Sequence, residues 1–238
     1  MEMRPPGDGE NMTEYGNKIV RVLWPLLLHT VISTGVAFAA GILKDMNYLP
    51  GASGTVLDGT DATLVTVVSA AVSLPVFRNM RKRDRALTGK TGEKKRISVR
   101  MGAAAFFGGI FASCISTALM QGIGLEQYFS NRVQEELFSA GLLLQVIGLG
   151  LVVPVLEELL YRGILYDRLK EFLTGKTAAA AAALIFALAH GNMIQFLYAL
   201  PMALILHWLC EKGGSLTLPI LFHMGANLIS VFGNAFFH

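Results

Sequence analysis

About seven apolar runs, several of them 18 residues or longer, limit the folds that are open to this 238-residue chain. A helix needs about 18 to 20 apolar residues to cross the hydrocarbon core of a bilayer. Charged residues make up only 16% of the sequence, and from Thr177 to His238 they are Glu211 and Lys212 alone. That is too few to cover a soluble globule, since soluble domains are about 25% charged. We therefore predict an all-α, polytopic membrane protein with about seven transmembrane helices.

The apolar runs also predict where these helices lie. The polar segment 1–18 precedes the first run and does not resemble a signal peptide. An amphipathic, acidic segment at 125–137 follows the third run and is expected to lie at the membrane interface. The predicted helices cover residues 19–43, 62–77, 101–123, a fourth from about 139, and then 177–190, 194–210 and 216–237.

Basic residues are concentrated in the segment 78–100, which holds ten Lys or Arg residues against two acidic ones. Because Lys and Arg favour the cytoplasmic side of a membrane, we predict that this segment is a cytoplasmic loop and that the N-terminus is cytoplasmic. The net charge of +3 then reflects membrane orientation, and no nucleic-acid partner is expected. We expect a multi-pass protein of the plasma membrane of a prokaryote, monomeric by default. Cys114 and Cys210 lie inside apolar runs and are predicted to be packing residues.

The sequence EELLYR at 157–162 follows fifteen residues in which Gln145 is the only polar side chain. A charge in hydrocarbon costs at least about 3 kcal/mol on insertion scales, so these charged residues need partners, solvent or a function. Glu158 and Arg162 are four residues apart and are predicted to pair on one helix face. Adjacent helical residues point about 100° apart, so Glu157 and Glu158 are not expected to face one partner. Glu157 is thereby left free for another role.

His190 is the predicted neighbour of Glu157. The midpoint between the two residues falls in the turn LTGK at 173–176. If the flanking segments form an antiparallel hairpin, each residue lies about 24 Å of helix from the bend, and the two come level with each other. Phe186 precedes His190 by four residues, on the same helix face, and is predicted to form a wall of the site.

The last helix carries HMGAN, in which His223 and Asn227 are four residues apart and project from one face. With Glu157 and His190 they would form a cluster of one acid, two imidazoles and one amide. A glutamate and a histidine can share a water molecule and take its proton. A second histidine with an asparagine can donate hydrogen bonds to a developing oxyanion. Together these groups predict hydrolysis of a peptide bond by water.

Each motif taken alone also has a structural explanation. EELLYR fits an ion pair at the end of a helix, and a single membrane histidine is more often a hydrogen-bonded helix contact than a catalytic group. The coincidence of the three motifs favours a site. His29 and His207 lack such company and are interpreted as structural or lipid-interface residues, and Asn192 as the cap of a turn.

These three motifs, EExxxR, FxxxH and HxxxN, each on a separate predicted helix and in that order, resemble those of the CPBP family of glutamate intramembrane endopeptidases. The name covers CAAX proteases and bacteriocin-processing enzymes, also called the ABI family. The resemblance covers the segment 138–238, which is expected to be the protease core formed by the last four helices. The segment 19–137, with the first three helices, carries no motif of the family. The matching residues are Glu157, Glu158, Arg162, Phe186, His190, His223 and Asn227.

The resemblance implies that Glu157 and His190 activate the attacking water and that His223 and Asn227 form the oxyanion hole. Glu158 and Arg162 would then hold the first motif in shape. The implied substrate is a membrane-associated peptide or a lipidated protein, as in type II CAAX prenyl endopeptidases. Glu157, His190 and His223 could also ligate zinc, as in a metalloendopeptidase. The preferred interpretation requires no cofactor, and HExxH is absent from the sequence.

Two other functions compete with the endopeptidase. A non-catalytic membrane scaffold or bacteriocin-immunity partner would keep the fold, and its activity in cells would survive Glu157→Ala and His190→Ala. A small transporter or channel would use the polar cluster as an ion site and would show flux in proteoliposomes. The complete polar set favours the enzyme, because a scaffold has no need for four desolvated polar groups.

Overall fold

The computed structural model describes residues 12–46, 59–89, 96–129 and 136–237 of the chain. The described residues form seven helices, of which six are long and apolar enough to cross a membrane. The predicted all-α, polytopic membrane fold is thereby confirmed. The helices are α1 (Met12–Asp45), α2 (Gly59–Leu87), α3 (Val99–Ile123), α4 (Leu142–Leu169), α5 (Gly175–Leu188), α6 (Met193–Gly213) and α7 (Thr217–Phe237). Helix α5, with 14 residues, is the short one.

Helix α2 is longer than the apolar pattern predicts. It was expected to end at residue 77, but it continues to Leu87, so the first part of the basic segment 78–100 is helical and not a loop. Arg and Lys are good helix formers, which allows the helix to run on. Asp84 in this extension accepts a hydrogen bond of 2.8 Å from Arg168 at the end of α4, and this pair fixes the extension against the rest of the protein.

The segment 125–137 is only partly described. Leu125–Gln127 forms a single turn of 3₁₀ helix directly after α3. Residues 130–135 lie outside the described part of the chain, so the predicted interfacial position of the whole segment stays a prediction.

Helix α4 lies at the centre of the molecule. The eight residues Glu158–Leu165 are all buried, including the two charged ones. Two stretches of α4, Gln145–Val152 and Glu158–Leu165, have π-helical hydrogen bonding, in which each N–H bonds the carbonyl five residues back. Such stretches inside α-helices are rare and often mark functional sites.

Helices α3 and α7 cross at backbone contact. A Cβ atom on Gly109 of α3 would lie far inside the van der Waals radius of the Phe222 carbonyl oxygen, and a Cβ on Gly225 of α7 would meet the Phe106 carbonyl oxygen in the same way. Small residues at such a crossing let two membrane helices approach closely. This contact fixes the helix that carries HMGAN.

The turns around α5 follow the local sequence. Asn192 caps the start of α6, because its Oδ1 accepts a hydrogen bond of 2.8 Å from the Gln195 N–H, as predicted. Gly191 before it has φ +75°, a left-handed conformation that glycine adopts without strain. Both cysteines are free thiols.

Candidate active site

The first element of the site is the ion pair predicted within α4. Arg162 Nη1 donates a hydrogen bond of 2.9 Å to Glu158 Oε1, and neither side chain has any exposed surface. The second guanidinium nitrogen donates to the Ala203 carbonyl of α6 at 3.4 Å. The guanidinium carbon also lies 4.4 Å from the centre of the Phe186 ring, which is cation–π geometry. A buried charge is tolerable only with partners of this kind.

His223 contacts both carboxylates of EELLYR. The prediction that Glu157 and Glu158 do not face one partner is therefore wrong. Its Nδ1 lies 2.8 Å from Glu158 Oε1, and its Nε2 lies 3.4 Å from Glu157 Oε2. An imidazole presents nitrogens on two sides of its ring, so it can bridge side chains that diverge. The helix also changes from α to π bonding between these two residues, which alters the regular 100° offset. Glu157 is therefore not left without a neighbour.

The contact to Glu158 fixes the state of one His223 nitrogen. An ionised carboxylate only accepts hydrogen bonds, so Nδ1 carries a proton and donates it. The other nitrogen then faces the Glu157 carboxylate at a distance slightly beyond a strong hydrogen bond. Two acceptors would repel each other there, so a proton on His223 Nε2 or on Glu157 makes this contact favourable.

His190 follows the end of α5 and has its ring held by its own helix. Its Nδ1 lies 2.8 Å from the Phe186 carbonyl oxygen. Because a carbonyl oxygen accepts and never donates, Nδ1 carries the proton, and Nε2 of the neutral ring keeps its lone pair. A histidine in this tautomer is able to accept a proton from water through Nε2.

The Phe186 ring packs against both histidines and forms the predicted wall. Its centre is 4.8 Å from that of the His190 ring and 6.0 Å from that of the His223 ring, both in edge-to-face geometry. Tyr161 packs edge-to-face on it at 4.9 Å. Together with the guanidinium of Arg162, these contacts make Phe186 a common neighbour of all three motifs.

Asn227 is oriented by a hydrogen bond to a backbone carbonyl of α4, which a proline in that helix leaves without its usual partner. In the π-helical stretch of α4 the Val153 N–H bonds the Gly148 carbonyl, five residues back. The next residue, Pro154, has no N–H to offer to Leu149. The Leu149 carbonyl accepts instead from Asn227 Nδ2, at 2.9 Å. This bond orients the amide and leaves its second N–H free to bind another acceptor.

One cavity brings the four predicted residues together. It has a volume of about 260 Å³ and is lined by Glu157, His190, His223 and Asn227, with apolar side chains around them. The Glu157 side chain is 26% exposed, whereas Glu158 is fully buried, so only the first of the two carboxylates is open to the cavity. The chemical roles of these residues stay predictions; their common location is a feature of the structure.

His207 lies elsewhere and makes structural contacts. It is buried, its Nδ1 lies 2.6 Å from the Ala203 carbonyl oxygen, and its ring packs edge-to-face on Tyr166 at 4.8 Å. These contacts suit the predicted structural role and exclude a place at the lipid interface.

Zinc would need about three protein ligands close together in the cavity. In the part of the chain that the structure describes, no three His, Cys, Asp or Glu side chains lie close enough together to hold a metal ion. The structure gives no support to a metalloendopeptidase-like site, and no step is assigned to a metal.

Three contributions to the cavity have no signal in the sequence. The Leu149 carbonyl becomes available only because a π-helical stretch meets a proline. Tyr198 donates a hydrogen bond of 2.9 Å to Ser113 of α3, which lies 3.4 Å from Ser230 of α7. Tyr198 and Ser230 line the cavity, so this group ties three helices together at one of its walls.

Comparison with known proteins finds a family that the C-terminal part of the chain resembles. Residues 138–229 match a family model described as type II CAAX prenyl endopeptidase Rce1-like. The match includes all three motifs and confirms the predicted family resemblance. No curated protein and no solved structure gives a significant match.

Proposed function

We propose that this chain is an intramembrane endopeptidase, because residues 138–229 match the Rce1-like family model of type II CAAX prenyl endopeptidases. It hydrolyses a peptide bond in a membrane-associated peptide or a lipidated protein. The observation that carries the proposal is the single cavity of about 260 Å³ that one carboxylate, two imidazoles and one carboxamide line together.

The proposed first step is attack by water on the substrate carbonyl. Glu157 and the unprotonated Nε2 of His190 both reach the cavity, and they hold the water between them. The water oxygen forms a bond to the carbonyl carbon, while its proton passes to Glu157 or His190. The carbon–nitrogen bond then breaks, and the same proton passes to the leaving amine.

The oxyanion of the intermediate is stabilised by His223 and Asn227. His223 donates from Nε2 when that nitrogen carries a proton, and Glu158, at 2.8 Å from Nδ1, holds the ring in place. Asn227 donates through the amide N–H that Leu149 does not use. Removing one such donor typically costs about 10²–10³ in kcat.

Glu158 has two tasks in this proposal. It neutralises Arg162 inside α4, and it orients the His223 ring, which is more than the structural role that the family resemblance implies. Because its carboxylate is fully buried, it takes no part in proton transfer to the substrate.

The proposal includes an orientation in the membrane, which is based on the positive-inside rule. The basic segment 78–100 faces the cytoplasm, and with it the ends of α2 and α4 that Asp84 and Arg168 join. The N-terminus of α1 lies on the same side, since Arg21 is 2.6 Å from Glu171, just after α4.

The test is cleavage by the purified full chain in proteoliposomes. The substrates are a farnesylated peptide with a C-terminal Cys-aliphatic-aliphatic-Xaa sequence and an unprenylated transmembrane peptide, and products are identified by mass spectrometry. We expect cleavage of at least one peptide by the wild type and loss of cleavage in His190→Ala. Leu188→Ala, at a lipid-facing position on the same helix, is the matched control and should cleave normally.

Two results would overturn the proposal. Turnover by His190→Ala at the wild-type rate would remove the histidine from the chemistry. A wild type that cleaves neither peptide, but whose activity in cells survives His190→Ala, would indicate the non-catalytic scaffold instead.

A further inference from the structure

A second cavity shares the side chains of Glu157 and His190 with the first. Its volume is about 380 Å³, which is within the range of about 300–1,000 Å³ typical of ligand pockets. Four residues line both cavities, namely Leu137, Glu157, His190 and Gln195. The two cavities therefore meet at the carboxylate and the imidazole that are proposed to activate water.

Helix α1 forms one wall of this second cavity. Leu26, His29 and Thr30 face it, although the rest of α1 is largely directed toward lipid. These residues lie outside 138–229, the part of the chain that matches the protease family. The opposite wall consists of apolar side chains of α4 and α5, among them Leu160 and Ile185.

His29 is one of two polar side chains that α1 contributes to this cavity, and a neighbouring helix fixes its ring. Its Nδ1 lies 3.1 Å from Ser73 Oγ of α2, and Ser73 is fully buried. Phe77 of α2 packs edge-to-face on the same ring, with 6.1 Å between ring centres. With Nδ1 occupied, Nε2 is the nitrogen that remains to bind a ligand, as a donor to a carbonyl or as an acceptor from an N–H.

We infer that the second cavity binds the part of the substrate on one side of the scissile bond, and that His29 bonds a peptide group there. The inference rests on the proposed function, because it assigns a subsite to that reaction. A substrate carbonyl held beside Glu157 and His190 must have chain on both sides of it, and two cavities meet at those two residues, so each can hold one part of the chain. The occupant is a peptide segment with apolar side chains, since the aliphatic part of the lining suits those side chains and its polar groups, His29 among them, suit the peptide backbone.

Filling the cavity from α1 tests the subsite. Leu26→Trp places a large ring in it, and Leu27→Trp, the matched control, adds the same ring to the lipid-facing side of α1. The substrates are farnesylated peptides with Gly, Val or Phe on either side of the scissile bond. We expect Leu26→Trp to raise KM at least about tenfold for Phe on one side of the bond only, with Gly unaffected. If the variant is poorly folded by its Tm, Leu26→Phe repeats the test with a smaller ring.

Variants of His29 test the polar contact. His29→Ala should raise KM about tenfold for every peptide while kcat changes less than about threefold, because a subsite contact stabilises ground state and transition state alike. His29→Gln, which keeps a hydrogen-bonding nitrogen, should recover most of the loss. A fall in kcat with unchanged KM would contradict the assignment of His29.

The failure of this inference differs from the failure of the proposed function. If the wild type cleaves and Glu157→Gln does not, but Leu26→Trp behaves like Leu27→Trp, the cavity holds lipid or nothing and the inference is wrong. If the wild type cleaves none of the peptides, the proposed function itself is wrong.

Discussion

Helices α1 and α4 have the same mean hydropathy, 1.9 over their most apolar window, yet they occupy opposite environments. Only 6% of that window of α1 is buried inside the protein, against 44% of that of α4. Hydropathy alone cannot tell these helices apart, since lipid and protein interior are equally apolar. The fully buried charges of α4 distinguish it from α1, because Glu158 and Arg162 require protein partners on several sides.

The molecule can be divided into an N-terminal half, helices α1–α3, and a C-terminal half, helices α4–α7. Each half contains a buried ion pair. Arg162 and Glu158 pair within α4, next to the cavity, whereas Lys44 of α1 pairs with Asp61 of α2, near the residues that connect those helices. We interpret the first pair as part of the site and the second as a contact that holds α1 and α2 together. Variants of the two pairs distinguish these two roles.

The largest expected effect is that of breaking these pairs. Arg162→Ala removes the cation that pairs with the buried Glu158 and leaves His223 as its hydrogen-bond partner, which costs about 3–5 kcal/mol of stability, and it should also abolish turnover because Glu158 no longer holds the His223 ring in place. Asp61→Ala should lower Tm as well, but the protein that remains folded should keep the wild-type kcat. Thermal unfolding in detergent and turnover per folded molecule measure the two effects. Equal loss of kcat in both variants would contradict the division.

The next effect concerns the amide of the proposed oxyanion hole. Asn227→Ala should lower kcat by about 10²–10³ with little change in KM, because the bond to the oxyanion exists only in the transition state. Initial rates with the peptide that the wild type cleaves best provide the measurement. A rise in KM at constant kcat would make Asn227 a substrate-binding residue instead.

A smaller effect is expected where the two halves touch. Gly225→Ala would push α7 away from the Phe106 carbonyl of α3, and overpacking of this kind costs about 1–3 kcal/mol. Gly233→Ala on the same helix meets nothing within 4 Å and should leave Tm unchanged. A Tm of Gly225→Ala equal to that of Gly233→Ala would mean that α3 does not position α7.

The smallest effect is expected from metal removal. Neither half offers a fitting set of three ligands among the described residues, so dialysis against EDTA and then 1,10-phenanthroline should change turnover less than about twofold. Loss of activity that zinc restores would show that Glu157, His190 and His223 rearrange around a metal.

Local spacing in the sequence predicts part of this site. The separation of four residues gives the Glu158–Arg162 pair, the shared face of Phe186 and His190, and that of His223 and Asn227. The length of the apolar runs predicts about seven helices. These features depend only on residues that are close in sequence, which is why a pattern can predict them.

What the sequence does not predict depends on how distant helices face each other. The bridge that His223 forms between Glu157 and Glu158 requires the rotation of α7 against α4. The bond from Asn227 to Leu149 requires a π-helical stretch that no spacing indicates. His29 was interpreted as a structural or lipid-interface residue, because nothing local shows that its side of α1 lines a cavity beside Glu157.

Initial rates of Glu157→Gln and wild type, compared at equal amounts of folded protein, test the central claim most directly. Glutamine keeps the size of the side chain and its bond to neighbours but cannot accept a proton, so the variant isolates the proposed role in water activation. We predict a fall in kcat of about 10²–10⁴ at an unchanged Tm. A kcat within about threefold of the wild type would show that Glu157 does not activate water.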